Sequence, residues 1–203
     1  MSARPAPLPP IEVLDTIPTE AFVASMAPLF EGAPRFLGRL ANARPFGSLE
    51  RLFERAREIA LAMPEVERLE LIDAHPRLGA PPASVSAWSF VEQGYEREAA
   101  ERAAEAAEAE RARLAAELAR LNTAYEARFG FRYCVFVAGR SRAELIPEMA
   151  TALGADRDAE MARALDAVVE IARDRASKSV GEATSVGEAT SVGAAAAAAE
   201  ASE

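Results

Sequence analysis

Residues 96–129 read EREAAERAAEAAEAERARLAAELARLNTAYEARF and contain neither glycine nor proline. No other stretch restricts the fold of this chain as strongly. Alanine, leucine, arginine and glutamate are the best helix formers, because they lose little side-chain freedom in a helix. A long helical segment is therefore predicted from near Ser86 to Phe129, as one helix or as two. Such a helix is stable in water chiefly when an apolar face packs on neighbours, so more helices are expected around it.

The flanking sequence supplies them. Phe22, Met26, Leu29 and Phe30 recur at helical spacing from Thr19, and PRFLGRLAN (34–42) reads as a short helix. Ser48 is placed to cap a helix carrying Leu49, Leu52, Phe53, Ala56 and Ile59 on one stripe. Pro64 opens another that runs into LIDAHPRLG (71–79), after which Pro, Gly and Ser mark a loop. FRYCVFVAG (131–139) is β-branched and aromatic, but it has no second strand to pair with, so a buried extended link is predicted. Ser141 and Glu144 form a capping-box pattern, and DAEMARALDAVVEIARDRA (158–176) closes the series.

The expected architecture is all-α, a single-domain bundle of about eight helices with an extended segment near 131–138. Proline-rich residues 1–17 read as an irregular arm, and residues 18–178 as the helical domain. Residues 179–203, with their SVGEAT repeats and six alanines, have too few large apolar side chains for a core and are expected to form a disordered tail.

Charge and composition exclude several classes. A net charge of −9 argues against nucleic acid as the main partner, since phosphates need a cationic face. No apolar run approaches the roughly 18 residues of a membrane span. One histidine and one cysteine argue against a single-chain zinc site, and neither GxGxxG nor a Walker sequence is present. The lone Cys134 and the absence of a secretory h-region make the cytoplasm the expected location.

Three groups could carry chemistry. His75, followed by Pro76, can exchange a proton near neutral pH, although a packed or surface histidine is the commoner case. In SAWSFVEQGYE (86–96), helical spacing puts Ser89, Glu92, Gln93 and Glu96 beside a Trp88–Val91–Tyr95 stripe. This set could line a polar pocket, or it could simply cap a helix and face water. Arg140 precedes a helix start, and Arg173 and Arg175 close the last helix, where dipole compensation is the ordinary role of arginine. A fixed guanidinium is also what a carboxylate ligand needs. The basic residues are all arginine except Lys178.

These groups occur together in an order that resembles the 2-oxo-4-hydroxy-4-carboxy-5-ureidoimidazoline (OHCU) decarboxylases of purine catabolism. The anchors are RPFGSLERL (44–52), LIDAHPRLG (71–79), SFVEQG (89–94), LNTAYEARFGFRYCVFVAGRS (121–141) and EIARDR (170–175). The resemblance implies an all-α homodimer that uses no cofactor and converts OHCU to (S)-allantoin. It also implies His75 and Glu92 as the catalytic pair, with Pro76, Ser89, Gln93 and Arg175 around the substrate and Arg140 as the alternative arginine. A functional association with uricase and 5-hydroxyisourate hydrolase would follow. Two other readings compete. One is a non-enzymatic helical interaction module, with Leu114, Leu118 and Leu121 as a seam. The other is a Cys134–His75 hydrolase, which is weakened by the apolar run around Cys134.

Overall fold

The computed structural model describes residues 7–81, 85, 86, 88, 93 and 105–200, with side-chain surroundings between 108 and 179 in the second half. Eight helices lie among the described residues: α1 Ile11–Leu14, α2 Thr19–Met26, α3 Pro34–Asn42, α4 Leu49–Ala62, α5 Glu65–Asp73, α6 Glu105–Phe129, α7 Arg142–Ala152 and α8 Arg157–Glu200. No strand occurs among these residues.

Local chemistry sets the helix starts. Pro34 occupies the first turn of α3, where a missing N–H costs nothing. The Ser48 hydroxyl accepts the Arg51 N–H at 3.2 Å and opens α4. At α7, Ser141 and Glu144 cap each other's backbone reciprocally, so two N–H groups gain partners.

The core forms where the apolar faces meet. Phe22, Met26, Phe30, Phe36, Leu37, Leu40, Leu52 and Ala56 are buried on α2 to α4 and in the turn after α2. Met161, Leu165, Val168, Val169 and Ala172 form the matching stripe of α8, which packs on α4 and α5. Each large buried side chain contributes about 1.5–3 kcal/mol of transfer free energy. Among the described side chains of α6, the large apolar ones that enter the core are Leu118, Leu121, Tyr125 and Phe129, in its C-terminal half. Two of the three seam leucines of the interaction-module reading thus belong to the chain's own core.

Residues 131–137 form the extended link, with Phe131, Tyr133, Cys134 and Val137 buried. A lone extended segment leaves carbonyls without strand partners, and buried carbonyls must be paired. Arginines do this here. Arg163 donates to the Cys134 carbonyl at 3.0 Å, and Arg140 donates to the Phe136 and Val137 carbonyls at 2.6 and 3.0 Å.

Both chain ends carry helical backbone. The N-terminal arm includes the helical turn α1 and buries Leu14 completely. It is docked by Asp15, whose carboxylate accepts the Phe46 and Gly47 N–H groups at 2.9 and 2.8 Å, and by Arg44, which donates to the Ile17 carbonyl at 2.6 Å. Proline content predicted irregularity there, but tertiary hydrogen bonds supply what local propensity lacks. At the other end, Ser179 is buried and accepts the Leu8 N–H at 3.1 Å, so the packed domain extends past residue 178. The α8 backbone continues as helix to Glu200 through the repeats.

Candidate active site

A cavity of about 350 Å³ opens where three pieces of chain meet. The turn after α5 contributes His75, Pro76 and Leu78; the extended link contributes Tyr133 to Gly139; α8 contributes Ile171, Asp174, Arg175 and Lys178. Gln93 closes one side. The α8 residues sit three and four apart, on one helix face.

The His75 turn is held rigidly. Arg132 donates to the Asp73 and His75 carbonyls at 2.6 and 3.1 Å, and the Arg132 N–H donates to the Asp73 carboxylate at 3.0 Å. Asn122 donates to the Leu78 carbonyl at 3.0 Å. Gly79 ends the turn at φ +79°, in the left-handed region that suits glycine, and its N–H donates to the Gln93 side-chain carbonyl at 2.8 Å. The Gln93 amide also donates to the Arg77 carbonyl at 3.4 Å.

His75 itself is 4% exposed. Nδ1 lies 3.3 Å from the Leu71 carbonyl, a geometry that places the ring proton on Nδ1. Nε2 is then an unprotonated lone pair, and among the described residues it is buried without a hydrogen-bond partner. Burial and the nearby Arg175 charge push the His75 pKa down from 6.5 to about 4, with Glu31 opposing. The ring is therefore neutral at physiological pH.

Arg175 is fully buried. It donates to the Pro28 and Leu29 carbonyls, both at 3.1 Å, and to the Glu31 carboxylate at 2.9 Å. Glu31 adopts φ +51°, which turns this residue of the α2–α3 connection out of ordinary helical geometry. Its carboxylate also accepts the Ser86 hydroxyl at 2.8 Å. Tyr133 lines the opposite wall with its hydroxyl pKa pushed up by burial to about 12, so it stays a neutral donor.

The arrangement brings together five of the residues singled out in the sequence: His75, Pro76, Gln93, Cys134 and Arg175. Ser89 and Glu92 lie outside the described residues. Arg140 is not among the cavity-lining residues. Its guanidinium is bound by Glu148 at 2.5 and 2.7 Å and by the link carbonyls. Arg173 pairs with Glu170 at 3.4 Å and stacks over Phe53. Sequence reasoning did not single out Glu31, Arg132 or Tyr133. The last two lie inside a quoted anchor, whereas Glu31 carries no signal beyond the Glu-Gly pair at a helix end.

Fold and cavity define a helical protein that presents one buried, unspent imidazole to a cavity of small-molecule size. Residues 15–177 match the OHCU decarboxylase family, and the chain belongs to that family. It is similar to the uric acid degradation bifunctional protein PucL of Bacillus subtilis (strain 168), with 30% identity over 172 residues covering 83% of this chain and 32% of the relative. The chain thus spans about a third of that relative's length. It is also similar to the 2-oxo-4-hydroxy-4-carboxy-5-ureidoimidazoline decarboxylase of Haloferax volcanii, at 24% identity, covering 81% of this chain and 92% of that one. Among solved structures, an OHCU decarboxylase crystallised in the presence of (S)-allantoin shares the fold, with TM-score 0.54, 22% identity and coverage of 72% and 91%.

Proposed function

We propose that this chain decarboxylates OHCU to (S)-allantoin in urate catabolism. Family membership supports the reaction class. The observation that carries the site is the neutral His75, whose Nε2 lone pair is buried beside the cavity without a partner among the described residues. A buried acceptor without a donor costs stability, and a substrate hydroxyl would satisfy it.

The chemistry follows from the substrate. One ring carbon carries both a hydroxyl and the carboxylate. His75 Nε2 accepts the hydroxyl proton as the bond to the carboxyl carbon breaks. The bonding electrons form a double bond to the neighbouring ring carbon as CO2 leaves, and the pair displaced from that carbon's C=N bond is held on the ring nitrogen, which takes a proton. When a second proton adds to the same carbon from one face, the enolate oxygen becomes the carbonyl and the (S) configuration is set; of these two protons one balances that taken by His75 and the other comes from solvent. An imidazolium formed in this buried place is opposed by Arg175 and favoured by Glu31; Glu92 is proposed as its hydrogen-bonding partner. Acid–base assistance of this kind contributes roughly 10²–10⁴-fold. Gln93, Ser89 and Pro76 hold the ring and ureido groups, and Arg175 orients the carboxylate. Binding that anion equally well before and during the reaction would add nothing to kcat.

The proposal extends to a homodimer in the cytoplasm that works with uricase and 5-hydroxyisourate hydrolase. The Bacillus relative, described as bifunctional and matched here over a third of its length, supports a link to a second activity of uric acid degradation. The test is a coupled assay. Urate is converted by uricase and the hydrolase, and (S)-allantoin is followed by circular dichroism. This chain is expected to accelerate the signal over spontaneous decay; an unchanged rate refutes the reading.

A further inference from the structure

The cavity must accept an anion, yet the charges on its described residues are already paired. Arg175 is tied to Glu31, and on the same helix face Lys178 is tied to Asp174. The two pairs are not equivalent. The Arg175 side chain is fully buried and anchored on two main-chain carbonyls besides Glu31, so it cannot turn toward a ligand without abandoning them. Lys178 is 47% exposed, and its ammonium has one side-chain partner, Asp174, one turn back on α8. Exposed i,i+4 pairs of this kind are worth only a few tenths of a kcal/mol. An ammonium on a flexible stem moves at little cost. Arg140, the other arginine considered from the sequence, is held by Glu148 and the link carbonyls. Lys178 is the only lysine in a chain whose other basic residues are all arginine, and it lines this cavity.

We propose that Lys178 is a substrate-binding residue that swings from Asp174 to the substrate carboxylate at the cavity mouth, with Asp174 acting as its resting counter-ion. Arg175 is then the fixed inner cation that orients the carboxylate, and Lys178 is the mobile outer one that supplies the missing charge. This rests on the decarboxylase reading above, because that reaction needs an anionic substrate and releases a product without the carboxylate.

The experiment compares Lys178→Gln and Asp174→Asn with wild type in the coupled assay. The inhibition constant of (S)-allantoin is measured alongside. Lys178→Gln is expected to raise KM about tenfold, the scale of a lost charge-assisted hydrogen bond. The fall in kcat is expected to be smaller. Asp174→Asn, which frees the ammonium, is expected to lower KM. Inhibition by the neutral product should stay close to wild type in both, a readout that simple loosening of the cavity would move. Unchanged KM in Lys178→Gln, equal losses of substrate and product affinity, or a raised KM in Asp174→Asn would each overturn the inference. Wild-type protein that fails to accelerate the reaction would instead refute the decarboxylase reading itself, whatever the variants do.

Discussion

Two arginines of helix α8 pair with glutamates, each pair having one buried member, Glu160 or Arg175, and the pairs are built to opposite ends. Around Arg163, the polar groups close on one another. Arg163 binds Glu160 at 2.6 Å and the Cys134 carbonyl at 3.0 Å, and the Tyr125 hydroxyl donates to Glu160 at 2.5 Å. Burial first, and then that bond, raise the Tyr125 pKa and keep it a donor. Tyr133 stacks under Arg163 at 4.9 Å. Around Arg175, the pair with Glu31 is closed as well, but the neighbouring His75 keeps an Nε2 without a partner among the described residues, beside an open cavity. The first cluster seals the extended link onto α6 and α8. The second uses the same residue types to hold the imidazole proposed to react. Between these two clusters, unspent hydrogen-bonding capacity beside a cavity marks the proposed chemical site.

The sharpest break of the structural cluster is Glu160→Ala. It leaves the buried Tyr125 hydroxyl and the half-buried Arg163 without their carboxylate, and a loss of about 1–3 kcal/mol in chemical denaturation is expected. The fraction that remains folded should turn over substrate at close to the wild-type kcat. A large loss of kcat with unchanged stability would show that the two clusters are not separate in role.

Acid titration probes the second cluster. The folded state holds His75 near pKa 4, whereas the unfolded chain returns it to 6.5. Between these values the unfolded state binds a proton that the folded state refuses. The stability tied to His75 is therefore complete above pH 6.5 and is lost as pH falls toward 4, by about 3 kcal/mol. His75→Gln should flatten this part of the stability curve, as read from urea midpoints across the window. An unchanged slope would place the acid sensitivity elsewhere.

A smaller effect is expected at Gly79. A Cβ there would meet Leu118 Cδ1 at 3.0 Å on a left-handed backbone. Gly79→Ala should cost about 1–2 kcal/mol and should raise KM by loosening Gln93. Wild-type stability would show that the turn relaxes freely.

Local features of the fold were legible because they have local causes. The α3 span, the Ser48 cap, the Ser141–Glu144 box and the unpaired extended link all follow from neighbouring residues. The docked N-terminal arm was not legible, because Asp15 acts on Phe46 and Gly47 across the fold. The site divides in the same way. His75 and Gln93 stood out through motif order. The choice between Arg140 and Arg175 depends on which guanidinium packing directs into the cavity wall, and two arginines in a chain rich in arginine look alike. Glu31 became visible only through the positive φ at the α2–α3 connection.

The central claim is that His75 carries the chemistry while the fold does not depend on it. The direct measurement is the rate of (S)-allantoin formation at pH 7 by His75→Ala beside wild type, with thermal melting of both. A fall of roughly 10²–10⁴-fold is expected, with a melting temperature close to wild type. A His75→Ala variant that melts normally and retains full activity would contradict the account.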